Sequence, residues 1–257
     1  MNKQLATITG VILFASTAVM AVDNEYRWST GIDFTSGNYS DTQKTEILYV
    51  PFTGTAMFGN FTAKATVPYI RITGPGTVVG GGDIGPIRRN RLANTITTQS
   101  GLGDITASLA YTKILQDNTL FVDFTGKVKL ATASAANNLG TGQTDYTTQI
   151  DFTKIAGSVN WFGTLGYRFI GSSATLPLQS GFLGSAGVSV NLSDTTSVGM
   201  IYDYREAAGF GNSDPSEMTG FVSYKLNKQI SFQTYAILGL SDGSPDAGGG
   251  ISLSFRR

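Results

Sequence analysis

Apolar and polar residues alternate with a period of two along most of this chain. From Leu120 to Leu130 the even positions hold Leu120, Val122, Phe124, Gly126, Val128 and Leu130. The odd positions between them hold Phe121, Asp123, Thr125, Lys127 and Lys129. Asp145, Thr147, Gln149, Asp151 and Thr153 alternate in the same way with Tyr146, Thr148, Ile150 and Phe152. Val198, Met200, Tyr202 and Tyr204 alternate with Asp203 and Arg205 on the opposite parity. Successive side chains of a β-strand point to opposite faces, so this is the signature of strands with one apolar and one polar face.

The pattern predicts strands near 25–35, 43–55, 60–72, 101–114, 118–132, 145–155, 159–171, 182–192, 195–207, 217–226, 229–240 and 248–256. Each matches or exceeds the nine to eleven residues or so that a tilted bilayer strand needs. Tight turns fall at Gly59-Asn60, Gln116-Asp117-Asn118, Gly157-Ser158, Ser193-Asp194 and Asn227-Lys228. Longer links at 36–42, 73–100, 133–144, 172–181, 208–216 and 241–247 alternate with them. Regular alternation of short and long links is expected of a closed antiparallel transmembrane β-barrel with both termini periplasmic. A secreted soluble β-sandwich with Greek-key crossings has no reason to show it. Aromatic residues fit two interfacial girdles: Tyr26, Trp28, Phe61, Tyr69, Tyr111, Tyr146, Phe152, Trp161, Tyr167, Tyr204 and Tyr224 fall near predicted strand ends on the apolar face.

The N-terminus reads as an export signal over residues 1–21, followed by a barrel over 22–257. Lys3 precedes an apolar stretch from Leu5 to Ala18, and Val19-Met20-Ala21 supplies small residues at cleavage spacing. The stretch is too short for a membrane-spanning helix. Localisation in the outer membrane of a Gram-negative bacterium follows, with lipids, lipopolysaccharide and the barrel-assembly machinery as expected partners.

Composition narrows the chemistry. There is no cysteine and no histidine, so a thiolate metal site, a disulfide framework and a Ser–His nucleophile pair are all excluded. Asp145 and Asp151 share a face but stand roughly 20 Å apart along a strand, too far for paired acid–base work. Gly80-Gly81-Gly82 and Gly101-x-Gly103 precede no helix and no Gly-Lys-Ser/Thr, and read as loop and turn glycines. No cofactor and no catalytic residue is expected. Eighteen basic against eighteen acidic residues give no electrostatic reason for a nucleic-acid partner.

A Lys or Arg facing lipid near the midplane costs about 2–4 kcal/mol, so the charged face must be the lumen. It carries Lys64, Lys127, Lys129, Arg168, Arg205 and Lys225 with Asp104, Asp123, Asp145, Asp151 and Asp203. Pairing the strands around the 133–144 link brings Lys129 close to Asp145. These ions either brace the wall or set pore selectivity, and their mixed signs argue against strong selectivity. The turn at Gly59-Asn60 places Pro51 opposite Pro68, both on the lumen side. Neither proline can donate to a ladder, so the pair marks either a bulge that bends the wall or a gap through which an apolar solute leaves sideways. Arg88-Arg89-Asn90-Arg91 in the longest link suits lipopolysaccharide phosphates, or an inward fold that constricts the lumen.

Several segments carry a family resemblance: Leu48-Tyr49-Val50-Pro51-Phe52, Thr66-Val67-Pro68-Tyr69, Gly101-Leu102-Gly103-Asp104-Ile105, Leu139-Gly140-Thr141-Gly142 leading to Asp145-Tyr146, and Gly166-Tyr167. Their order and spacing resemble the outer-membrane transporters grouped as the "MetA-pathway of phenol degradation" family. The resemblance implies a single outer-membrane barrel linked to uptake of aromatic or other small organic compounds. One departure is at the C-terminus, where Phe255 is followed by Arg256-Arg257 instead of ending the chain. The expected function is a channel for passive uptake of small, aromatic or weakly polar solutes. The alternative is a closed structural or interaction barrel working through its outer loops.

Overall fold

The computed structural model describes residues 24–39, 41–80, 86–88 and 95–257, with the dipeptides Leu5–Ala6 and Ala15–Ser16 ahead of them. Apart from those dipeptides, the expected signal segment 1–21 lies outside the described residues, as do Arg89 and Arg91. For Arg88 only the backbone is described, paired with Val78.

The strands are β1 (Glu25–Gly37), β2 (Thr45–Phe58), β3 (Phe61–Gly74), β4 (two runs, Thr97–Leu102 and Thr106–Leu115), β5 (Leu120–Lys129) and β6 (Asp145–Ala156). They continue as β7 (Val159–Phe169), β8 (Gly181–Asn191), β9 (Thr196–Arg205), β10 (Ser216–Lys225), β11 (Ile230–Gly239) and β12 (Ala247–Arg256). Each pairs antiparallel with the next, and β12 pairs back onto β1 with Ile251 opposite Ile32. The result is a closed twelve-stranded barrel. Closure removes the unpaired edges that an open sheet of this size would expose. The departure at the C-terminus is absorbed by this seam: Arg257 and Tyr26 exchange backbone hydrogen bonds of 2.9 and 3.1 Å, which prolongs the ladder by one pair.

The polarity is inside-out. Outward-facing Leu165 and Trp28 are 70% and 61% exposed, whereas inward-facing Lys129 and Asp151 are 3% and 2% exposed. Exposed aromatics gather towards both strand ends: Tyr26, Trp28, Phe61, Tyr111, Trp161 and Tyr224 at the end with short links, Tyr69, Tyr146, Phe169 and Phe182 at the other.

The interior also holds large apolar side chains, and glycines make room for them. Phe162 on β7 lies over Gly187 directly opposite on β8, and Phe221 on β10 lies over Gly199 on β9. Tyr235 on β11 covers Gly250 on β12 in the same way. Phe162, Ile201, Phe221, Tyr235 and Ile237 form one buried cluster along this side of the lumen. Aromatic side chains thus cover neighbouring glycines across strands, a pairing that also holds register.

The wall is irregular at one place. Tyr69 opposes Leu102 and Thr66 opposes Thr106, so Val67 and Pro68 of β3 face three residues of β4, Gly103 to Ile105. This is a β-bulge, and it sits where Pro68 has no N–H to offer. Gly103 donates to the Pro68 carbonyl at 2.9 Å, and a β-carbon at Gly103 would stand 2.9 Å from Pro68 Cγ. The glycines expected in a loop therefore serve the wall: Gly101 lies within β4 and Gly103 within its bulge. The longest link also shortens, from 73–100 to 75–96, because β3 and β4 remain paired out to Gly74 and Thr97.

Candidate functional site: the barrel interior

The bulge has a consequence inside the lumen. The extra residue reverses side-chain parity, and Asp104 turns inward to meet Lys129 on β5 at 2.7 Å. Lys129 Nζ also lies 3.1 Å from Asp145 Oδ2, and it donates to the Gln143 carbonyl at 2.9 Å and to Thr141 Oγ1 at 3.3 Å. Asp104 accepts from the Ala133 amide and Asp145 from the Gly171 amide, at 2.9 and 2.8 Å. One ammonium is thus surrounded by two carboxylates, and all three groups are almost fully buried. Segments that looked unrelated in the chain meet here. Gly140 approaches Asp104 so closely that a β-carbon would stand 2.9 Å from its Oδ2, and Leu139, two residues before Thr141, fills the mouth above.

That mouth, at the end with long links, is filled from two directions. Val78, from the link after β3, packs with Leu139, Ala133 and Tyr39 against the inward-facing Ile47, Ile70 and Ile72. Gly80 donates to the Asn138 carbonyl at 3.0 Å, which joins the two inserted segments. In the described part of the longest link, Val78 and Val79 are buried. Tyr39 shares a 2.8 Å hydrogen bond with Thr35, and burial pushes its phenol above the ordinary range, so it stays neutral. A small cavity beside it is lined by Tyr39, Arg168, Glu206, Asn212 and Ser213.

The remaining candidates also face inward. Asp151 accepts from Thr164 Oγ1 at 2.6 Å, from Thr125 Oγ1 at 3.1 Å and from Gln149 at 2.8 and 2.9 Å. Asp123 stands directly opposite Asp151 and is likewise buried. Arg168 donates to the Glu206 carbonyl at 2.5 Å, and Arg205 pairs with Glu217. Asp203 lies opposite Glu217. Lys64, Lys127 and Lys225 are only partly covered. Pro51 stands opposite Pro68, both buried. Inward groups that the sequence reading does not name as lumen-lining include Glu25, Arg27, Asp33, Glu217, Arg256 and the aromatics Phe162, Phe221 and Tyr235. Parity would have found the ions, because Asp33 shares its face with Arg27, and Glu217 shares its face with Lys225.

The fold recurs in solved structures. The chain is similar to an outer membrane channel from Pseudomonas putida F1 at a TM-score of 0.71 and 12% identity, covering 93% of this chain and 97% of that one. It is similar to the KdgM porin at 0.54 and 7%, covering 89% and 98%. The translocator domain of the autotransporter NalP from Neisseria meningitidis matches at 0.54 and 11%, covering 93% and 90%. At these identities the likeness concerns the barrel fold. No protein-family model and no curated protein matches the sequence.

Proposed function

We propose that this barrel is an outer-membrane channel for passive uptake of small organic solutes. One observation carries the reading: an apolar outer belt surrounds a lumen whose inward Lys64, Lys127 and Lys225 keep contact with solvent. Ions of this kind are costly in a closed apolar core and useful along a wet path. The P. putida channel and the KdgM porin support the reading as barrels of like fold. Tyr26 and Arg257 lie at the short-link end of the barrel, which we assign to the periplasmic side. The family resemblance carried by the motifs around Pro51, Pro68, Asp104 and Leu139 further suggests aromatic or weakly polar solutes, with Pro51–Pro68 and the adjacent bulge as a sideways exit for an apolar one. The arginine-bearing part of the longest link is assigned to lipopolysaccharide.

One observation favours the closed structural barrel instead: Val78, Val79 and Leu139 are buried in the mouth. Single-channel recording and liposome swelling with refolded protein separate the two. Discrete current steps and swelling in small solutes are expected of the channel. A silent bilayer and intact liposomes would assign the barrel a structural role.

A further inference from the structure

Some of the inward charges, mixed along the chain, fall into rows of one sign in space. Following the paired residues from strand to strand, Arg256 stands opposite Arg27, Arg27 opposite Thr55, and Thr55 opposite Lys64. Lys64 then faces Ser108, Ser108 faces Lys127, Lys127 faces Thr147, and Thr147 faces Arg168. From Arg27 onward a cation occurs on every second strand, about 10 Å from the next at the spacing of paired strands, with a hydroxyl on the strand between. The row climbs as it turns. Arg256 and Arg27 lie near the ends of their strands that meet short links, and Arg168 lies one residue from the long-link end of β7.

The acids form a separate row, Asp123, Asp151, Asp203 and Glu217, running through Thr164 and Ser185. On β5 it lies four residues from the basic row. Three of these four acids are buried, and Asp151 and Glu217 have close partners in Thr125, Thr164, Gln149 and Arg205. Most of the basic row is more open: the Arg27 and Arg256 side chains are 12% and 36% exposed, and Lys64 and Lys127 are only partly covered, whereas Arg168 at its far end is buried. Glu25 is shared between Arg27 at 3.2 Å and Arg256 at 3.9 Å. Inward-facing Met57, two residues from Thr55, adds apolar surface beside it.

We propose that Arg256, Arg27, Lys64, Lys127 and Arg168, with Thr55, Ser108 and Thr147 between them, form a spiral binding track for small organic carboxylates. The track rests on the channel reading for its purpose and names a solute class for it. A carboxylate accepts from ammonium, guanidinium and hydroxyl donors alike, and steps of about 10 Å let a solute reach one cation as it leaves the last. An apolar body rests on Met57 meanwhile.

The test is isothermal titration of full-length barrel, refolded in detergent micelles, with sodium benzoate and with benzamide as its neutral isostere. Benzoate is expected to bind, more weakly as salt is added, and benzamide is not. K64Q/K127Q should lower the affinity about tenfold or more, the factor that one lost charge-assisted hydrogen bond supplies. K64R/K127R should keep it. K113Q, which removes a cation from the outer face of β4, should change nothing. A heat-dependent shift on SDS gels confirms that each variant is folded, and the single variants K64Q and K127Q replace the double if it is not. Equal binding of benzoate and benzamide, or undiminished binding by the glutamine variants, overturns the track. Benzoate binding by a barrel that passes no current keeps the track and defeats the channel; current without benzoate preference does the reverse.

Discussion

The hydroxyl of Tyr235 donates a hydrogen bond to the carboxylate of Asp33 across a whole intervening strand. Tyr235, Gly250 and Asp33 are successive partners on β11, β12 and β1, so the ring crosses Gly250 to reach its acceptor. The bridge therefore spans the seam at which the barrel closes. A β-carbon at Gly250 would stand 2.6 Å from Asp33 Oδ1 and closer still to the Tyr235 hydroxyl. Gly250→Val should displace the ring, leave Asp33 without this donor, and destabilise the barrel by about 1–3 kcal/mol. Gly126→Ala, on the outer face with nothing within 4 Å of the added carbon, should be close to neutral. The temperature at which the folded band disappears on SDS gels measures both. Equal temperatures for the two variants would deny the bridge its role.

Much of this architecture is legible in the chain, and the reason differs by feature. Strand count and the facing of Lys127, Asp151 and Arg205 follow from period two alone, since a side chain on a strand has only two directions. Pro51 and Pro68 are placed opposite one another by the tight turn at Gly59-Asn60, which fixes the register of its hairpin. The bulge at Gly103–Ile105 is not legible, because its extra residue exists only relative to the opposing strand. The inward turn of Asp104 towards Lys129 therefore has no local sign in the sequence. Phe162 and Phe221 were missed inside because an aromatic suits either face of a barrel. Only the glycines opposite, Gly187 and Gly199, decide that these rings fit within.

Lys129 holds the 130–144 link as well as two carboxylates, so its removal should be felt well beyond its own strand. Lys129→Met leaves Asp104 and Asp145 buried without their shared cation. Losing one partner of a buried pair costs about 3–5 kcal/mol, and here two acids are left. The 130–144 link also loses the contacts to Gln143 and Thr141. Limited proteolysis should cut this link faster in the variant, with a lower unfolding temperature. K129M combined with D104N and D145N should recover much of the stability, since no uncompensated charge remains. A triple variant as unstable as the single would show that the charges are not what matters.

Pro51 and Pro68 test the sideways exit. Replacing both with Val supplies two N–H groups, and valine suits a strand better than proline does. Gly103 to Ile105 keep their hold on the neighbouring segment, because Thr132 accepts from the Ile105 amide at 2.8 Å and donates to the Gly103 carbonyl at 3.0 Å. The variant should therefore fold. If an apolar aromatic solute leaves through this stretch of wall, its uptake into vesicles should fall while small-ion conductance stays level. Unchanged uptake would leave the bulge as a bend in the wall and nothing more.

The longest link makes the clearest prediction for conduction. Val78 and Val79 are 1% and 0% exposed, and Val78 rests among Ile47, Ile70 and Ile72 inside the mouth. Deleting residues 76–96 removes both valines and uncovers those isoleucines. The exposed apolar surface costs stability, on the order of 1.5–3 kcal/mol for each side chain no longer buried, so the unfolding temperature should drop. Conductance per folded barrel should rise, because Leu139 loses the segment whose Gly80 amide is bonded to the neighbouring Asn138 carbonyl. The two effects separate experimentally, since conductance is read only from inserted barrels. Val78→Asp is the gentler version: it places a charge among apolar neighbours and should drive the segment outward with the link intact. Unaltered current in both variants would mean that the narrowest part of the lumen lies deeper, between the Phe162 cluster and Asp151.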